Sequence, residues 1–167
     1  MYIVEIGLLY REQPLVHVGF YRKNEELNDV TKEKIILGIY SIVPEIFKDH
    51  VLKRLNVAKY TILFFGFELA EMDGKTGPEA AKTPANLVLS YAIVDLESGK
   101  LDNTSLRTVQ AKMQQLGKEF SKQYGDKPGN LESADFNPFK AHILSAFKDM
   151  LKKPEDRFDT IWEKRGS

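Results

Sequence analysis

Met1-Tyr2-Ile3-Val4-Glu5-Ile6-Gly7-Leu8-Leu9-Tyr10-Arg11 alternates from end to end. In an extended chain Tyr2, Val4, Ile6, Leu8 and Tyr10 fall on one side, and Ile3, Gly7 and Leu9 on the other, because successive strand side chains point to opposite faces. Both sides are largely apolar, which suits a strand covered on both faces. The stretch therefore predicts a central strand in a sheet sandwiched by helices.

The pattern continues outward from this strand. Glu12-Gln13-Pro14 reads as a turn, since Pro removes a ladder donor, and residues 15–22 read as the second strand of a hairpin. Residues 31–48 carry Ile35, Ile39, Ile42 and Ile46 at helical spacing, with Ile36, Tyr40, Val43 and Phe47 as a second stripe beside them. That apolar arc is wide enough to bury a helix deeply against the sheet. Thr31 or Asp29 can cap it, and Pro44 should kink or shorten it.

Residues 51–57 form a weaker strand, whose Lys53, Arg54 and Asn56 suit a sheet edge. Residues 60–69 and 86–96 alternate strongly and read as buried strands, separated by a long polar loop at 71–85. From there on only helices are expected. Leu106, Val109, Met113, Leu116, Phe120 and Tyr124 trace one face of a helix over 105–124. A second helix over 138–151 starts with Asn137 as cap and Pro138 in its first position, and carries Phe139, Ile143, Phe147 and Met150. Pro154 breaks it, and Phe158, Ile161 and Trp162 mark a short terminal helix. The expected fold is α+β, a five-stranded and mainly antiparallel sheet with one helix on one face and two on the other. Its order is β-β-α-β-β-β-α-α, with a domain at 1–151 and an extension at 152–167.

Composition narrows the function. The 167 residues are 43% hydrophobic and 29% charged, with 24 basic and 24 acidic side chains. Such a chain can bury a core without disulfides or metals, and it lacks the basic excess that a nucleic-acid binder usually carries. Cysteine is absent, which excludes thiol nucleophiles and Cys-built zinc sites. The N-terminus does not read as a signal peptide, no run approaches the roughly 18 apolar residues needed to cross a bilayer, and no lipidation box is present. A cytoplasmic protein is expected, with a place at the cytosolic face of membranes left open.

Catalytic motifs do not emerge. Asp73-Gly74-Lys75-Thr76 resembles part of a phosphate loop, but Leu69 stands where the first Gly belongs. His17, His50 and His142 have no partner at a metal-ligand spacing. Ser90 sits inside a strand and not in a nucleophile elbow. Glu5 and Glu68 could face each other if their strands paired, and two such carboxylates could share a proton; two exposed or singly hydrogen-bonded carboxylates are the plainer expectation. The aromatic tract Tyr60, Phe64, Phe65, Phe67 lacks interleaved Lys and Arg, so it reads as core packing rather than a base-stacking platform. Lys140, Lys148, Lys152 and Lys153 could meet anionic lipid or an acidic partner, but Asp149, Glu155 and Asp156 dilute them and favour a solvated face.

The whole order resembles the longin domain, a profilin-like α/β domain related to roadblock domains and small adaptor subunits. MYIVEIGLLYR is similar to the first longin strand, and Lys59-Tyr60-Thr61-Ile62-Leu63-Phe64-Phe65 resembles the start of another. The resemblance covers residues 1–151 and implies a non-enzymatic interaction platform without cofactor. It implies binding or regulation of a small GTPase or a second longin-type subunit in membrane traffic or signalling, or formation of a homodimer. No SNARE heptad follows the last helix, and the 71–85 loop and the tail after Pro154 depart from the SNARE longins. Partner contact is expected around the edge strand and its neighbours, at Lys53, Arg54, Phe65, Phe67, Ile36 and Tyr40. The competing reading is a PAS-like or GAF-like small-ligand sensor, which needs a pocket between sheet and helix.

Overall fold

The computed structural model describes residues 2–10, 13–20, 34, 38, 53–57, 60–69, 87–95, 102–125 and 135–150. Five strands form one sheet: β1 (Tyr2–Tyr10), β2 (Gln13–Gly19), β3 (Lys53–Val57), β4 (Tyr60–Glu68) and β5 (Leu87–Asp95). Their spatial order is β2-β1-β5-β4-β3, and every neighbouring pair is antiparallel. Two helices follow, α1 (Asn103–Tyr124) and α2 (Phe139–Phe147), with a 3-10 turn at Lys148–Met150. The α+β class and the five-stranded antiparallel sheet follow the sequence pattern. The helix expected over 31–48 lies outside the described residues except for Lys34 and Gly38, which are helical and exposed. The 71–85 loop and the 152–167 extension also lie outside them.

β5 lies at the centre, and all nine of its residues are buried. Val88, Ala92 and Val94 join Leu63, Phe65 and Phe67 of β4 on one face, in one cluster with Leu69 just after that strand. Val109, Met113, Leu116 and Phe120 of α1 and Phe139, Ile143 and Phe147 of α2 cover that face. Leu87, Leu89, Tyr91 and Ile93 join Tyr60, Ile62 and Phe64 on the opposite face, where they form a second buried cluster with Leu9. Burying residues of both parities along one strand requires cover on both sides.

β1 departs from simple alternation. Ile3 opposes Val94 and Glu5 opposes Ile93, so Val4 is an extra residue. This bulge shifts the parity by one. Ile3 thereby joins Ile6, Leu8 and Tyr10 in the helix-covered cluster, whereas Val4 packs with Leu9 on the other face. The unbroken alternation read from the sequence is corrected at that point.

The expected turn at 12–14 is corrected as well. Gln13 and Pro14 belong to β2, opposite Tyr10 and Leu9, and Leu15 is an extra residue before Val16 meets Leu8. β2 is an edge strand, and an edge tolerates a residue without an N–H.

Helix starts also differ from expectation. α1 begins two residues early because Asp102 caps it: Oδ1 accepts from the Ser105 amide at 2.7 Å and Oδ2 from the Ser105 hydroxyl at 2.7 Å. These bonds hold the exposed Asp102 carboxyl below its ordinary range, the amide bond most of all. At α2 the Asn137 side chain is not the cap. Pro138 occupies the cap position with helical backbone and makes no side-chain cap bond. Short-range bonds from Phe139 to Phe136 (2.9 Å) and from Lys140 to Asn137 (3.1 Å) satisfy the first amides.

Gly117 sets how close α1 sits to the sheet. A Cβ there would lie 2.9 Å from Cδ1 of Phe67. Gly117→Leu is expected to destabilise the protein by about 2–3 kcal/mol through overpacking, measured as a lowered urea midpoint with unchanged m value. A variant as stable as the parent would show that the helix is free to lift away from Phe67.

Candidate functional site

The expected contact residues separate into three groups. Lys53 and Arg54 lie side by side on β3, an edge strand. Arg54, Leu55 and Asn56 are exposed, Leu55 to 41%. Phe65 and Phe67 are only 8% and 9% exposed and belong to the cluster under α1. Neither ring offers surface to a partner unless that helix moves. Ile36 and Tyr40 lie outside the described residues.

Leu55 is an exposed apolar residue of β3 that sequence reasoning passed over. It opposes Ile62 across the ladder, so it shares the face of Tyr60, Ile62 and Phe64 and forms an exposed rim of that second cluster. Arg54 opposes Leu63 and Asn56 opposes Thr61, which directs both to the helix-covered side. Thr61 Oγ1 donates to Asn56 Oδ1 at 2.9 Å and ties the edge to β4. The sequence signal for Leu55 was a lone apolar residue between Arg54 and Asn56 in a strand short enough to be an edge.

A buried polar group lies elsewhere on the second face. Tyr91 opposes Gly7 across β5 and β1, and its ring covers the glycine so closely that a Cβ would sit 2.5 Å from Cε1. The hydroxyl of Tyr91 reaches along β1 and donates to Glu5 Oε1 at 2.6 Å. Gly7 is therefore required by the ring above it, a use of glycine for close approach. Burial first, then the Glu5 charge and the hydrogen bond to it, push the Tyr91 hydroxyl well above its ordinary pKa and keep it protonated.

The envisaged Glu5 and Glu68 pair does not form. β5 separates their strands, Glu5 opposes Ile93, and Glu68 opposes Leu87 six residues along it. That places the two about 20 Å apart at the rise of a strand. Glu68 is exposed. Ser90 is buried, and its Oγ has no hydrogen-bond partner among the described residues; it faces the core opposite Leu8 and Phe65.

The helical layer is held by rings and by one cation. Phe120 contacts Phe67, Tyr124, Phe136 and Phe139, with centroids 6.1, 4.8, 5.6 and 5.1 Å away. Lys112 of α1 reaches the C-terminal end of α2, where Nζ donates to the Ala146 carbonyl at 2.5 Å and meets Asp149 Oδ1 at 2.9 Å. It also lies over the Phe147 ring, 5.8 Å from the centroid. A cation at that end satisfies an orphan carbonyl and complements the helix dipole. His142 stacks on Phe139 at 5.2 Å and places Nδ1 3.3 Å from Glu119 Oε2, a second link between the helices. His17 is exposed on β2, and His50 lies outside the described residues.

No protein-family model matches the chain, and no curated protein matches it. No described helix is long and apolar enough to cross a membrane.

Two outcomes follow from these contacts. Tyr91→Phe should lower stability at neutral pH by about 1–2 kcal/mol, because a buried carboxylate loses a donor. A raised folded pKa gives stability that is complete below the unfolded value and declines as pH rises past it. Stability of the parent protein should thus fall above about pH 10, and Tyr91→Phe should fall less; equal slopes would sink this account. Lys112→Met keeps much of the packed stem but removes the charge. It should raise the hydrogen-exchange rate at the end of α2 several-fold while leaving β5 protected.

Proposed function

We propose that this chain is a protein-interaction platform of longin type. It binds or regulates a small GTPase or a second longin-type subunit in membrane traffic or signalling, on the cytosolic side. The supporting observation is the exposed edge strand β3, which presents Arg54 and a 41% exposed Leu55 beside a sheet buried on both faces. An edge strand offers backbone hydrogen bonds to an incoming chain, and an apolar rim residue gives it an anchor. Five strands followed by two helices among the described residues are compatible with that reading. The helix-covered face is filled by Phe, Leu, Ile and Met side chains at near-zero exposure, which favours a platform over a ligand sensor on that side.

The reading is tested with small GTPases from the same organism, loaded with GDP or a GTP analogue, by size-exclusion chromatography with light scattering. A complex with one nucleotide state is expected, and Arg54→Glu with Leu55→Asp should weaken it at least tenfold. Both side chains are exposed, so the fold should persist by circular dichroism. Undiminished binding would remove β3 from the contact surface, and failure of every GTPase and longin-type subunit to bind would remove the function.

A further inference from the structure

The outer surface of the helical layer carries a charge pattern that neither its own packing nor the edge strand explains. Residues 102–125 and 135–150 contain six basic side chains and four acidic ones. All four acids are engaged within the layer. Asp102 caps α1, Asp135 accepts from the Asn137 amide, Glu119 accepts from Gln115 and meets His142, and Asp149 holds Lys112. Of these six bases, only Lys112 is in an ion pair among the described residues. Arg107, Lys118, Lys122, Lys140 and Lys148 are exposed and form no ion pair among the described residues.

These cations fall into two stripes. Lys118 and Lys122 are one turn apart on α1, and Arg107 lies three turns before Lys118 on the same side, opposite Val109, Met113 and Phe120. Lys140, Leu144 and Lys148 follow one another at four-residue spacing along α2 and into its 3-10 turn. Leu144 is 45% exposed, one of two large apolar side chains so exposed among the described residues.

We infer that this face docks on an anionic membrane surface. An apolar tip with a lysine one turn to either side lets the tip enter the acyl boundary while the ammonium groups stay at phosphate level. Free cations on both helices supply the attraction, each worth about fivefold in binding near an anionic bilayer. Among the described residues, Phe136 and Phe139 of the layer are buried around Phe120, so they offer no stacking platform for nucleic-acid bases. The inference stands apart from partner binding at β3, which lies at the far edge of the sheet from β2, where α2 packs.

The test is co-sedimentation of the full chain with phosphatidylcholine vesicles, with and without phosphatidylserine. Binding is expected only with phosphatidylserine, and it should fall steeply with added salt. Lys140→Gln with Lys148→Gln should weaken it about twentyfold, since two charges are lost, and Leu144→Ser should weaken it at unchanged salt dependence. Equal binding to neutral vesicles, no binding to either, or full binding by these variants would overturn the proposal. Retention on polyglutamate beads without vesicle binding would overturn it in favour of an acidic protein partner.

Discussion

The nine residues of β5 are buried on both sides, and the rest of the molecule answers to that constraint. A strand of this kind has no solvent face, so it needs a hydrogen-bonded neighbour at each edge and an apolar layer over each surface. β1 and β4 supply the edges. α1 and α2 supply one layer through Val109, Met113, Leu116, Phe120, Phe139, Ile143 and Phe147. Truncating a ring at the centre of such a layer typically costs 3–5 kcal/mol, a large share of the stability of a single domain. The polar residues of the strand are the places where the constraint is tight. Tyr91 reaches Glu5, and Ser90 has no hydrogen-bond partner among the described residues.

Two glycines show how the layers are brought to contact distance. Gly7 lies under the Tyr91 ring and Gly117 faces the Phe67 ring. In each case an aromatic side chain fills the space that a Cβ would take, one within the sheet and the other between sheet and helix. The bulge at Val4 acts on the same scale. It turns Ile3 to the helical side and keeps Glu5 on the side of Tyr91. Without that extra residue the polar pair and the apolar cluster would compete for the same face.

The surface left over by this packing is uneven. Apolar rings expected at a partner surface, Phe65 and Phe67, are consumed by the core, and among the described residues the exposed large apolar side chains are Leu55 and Leu144. The two lie on opposite parts of the architecture, one on an edge strand and one on the outer helix. Both have basic neighbours, Arg54 beside Leu55, and Lys140 and Lys148 around Leu144. That division is the basis of the two proposals, a protein at the sheet edge and an anionic surface at the helices.

Local periodicity determined most of the architecture. Alternation over 60–69 and 86–96 placed the two buried strands, Lys53, Arg54 and Asn56 marked the edge, and the spacing from Val109 to Tyr124 gave the long helix. These features were legible because each depends on neighbours within a few residues of chain. What tertiary structure alone decided is longer in range. The position of β5 between β1 and β4 separated Glu5 from Glu68 and joined Glu5 to Tyr91, 86 residues away. The bulges at Val4 and Leu15 changed facing without leaving a mark in the hydrophobic pattern, since each is an apolar residue beside another, Ile3 or Val16. Whether Phe67 met solvent depended on where α1 came to rest, and Gly117 fixed that distance. Sequence spacing sets which side of an element a residue occupies; only the packing of one element on another decides whether that side is buried.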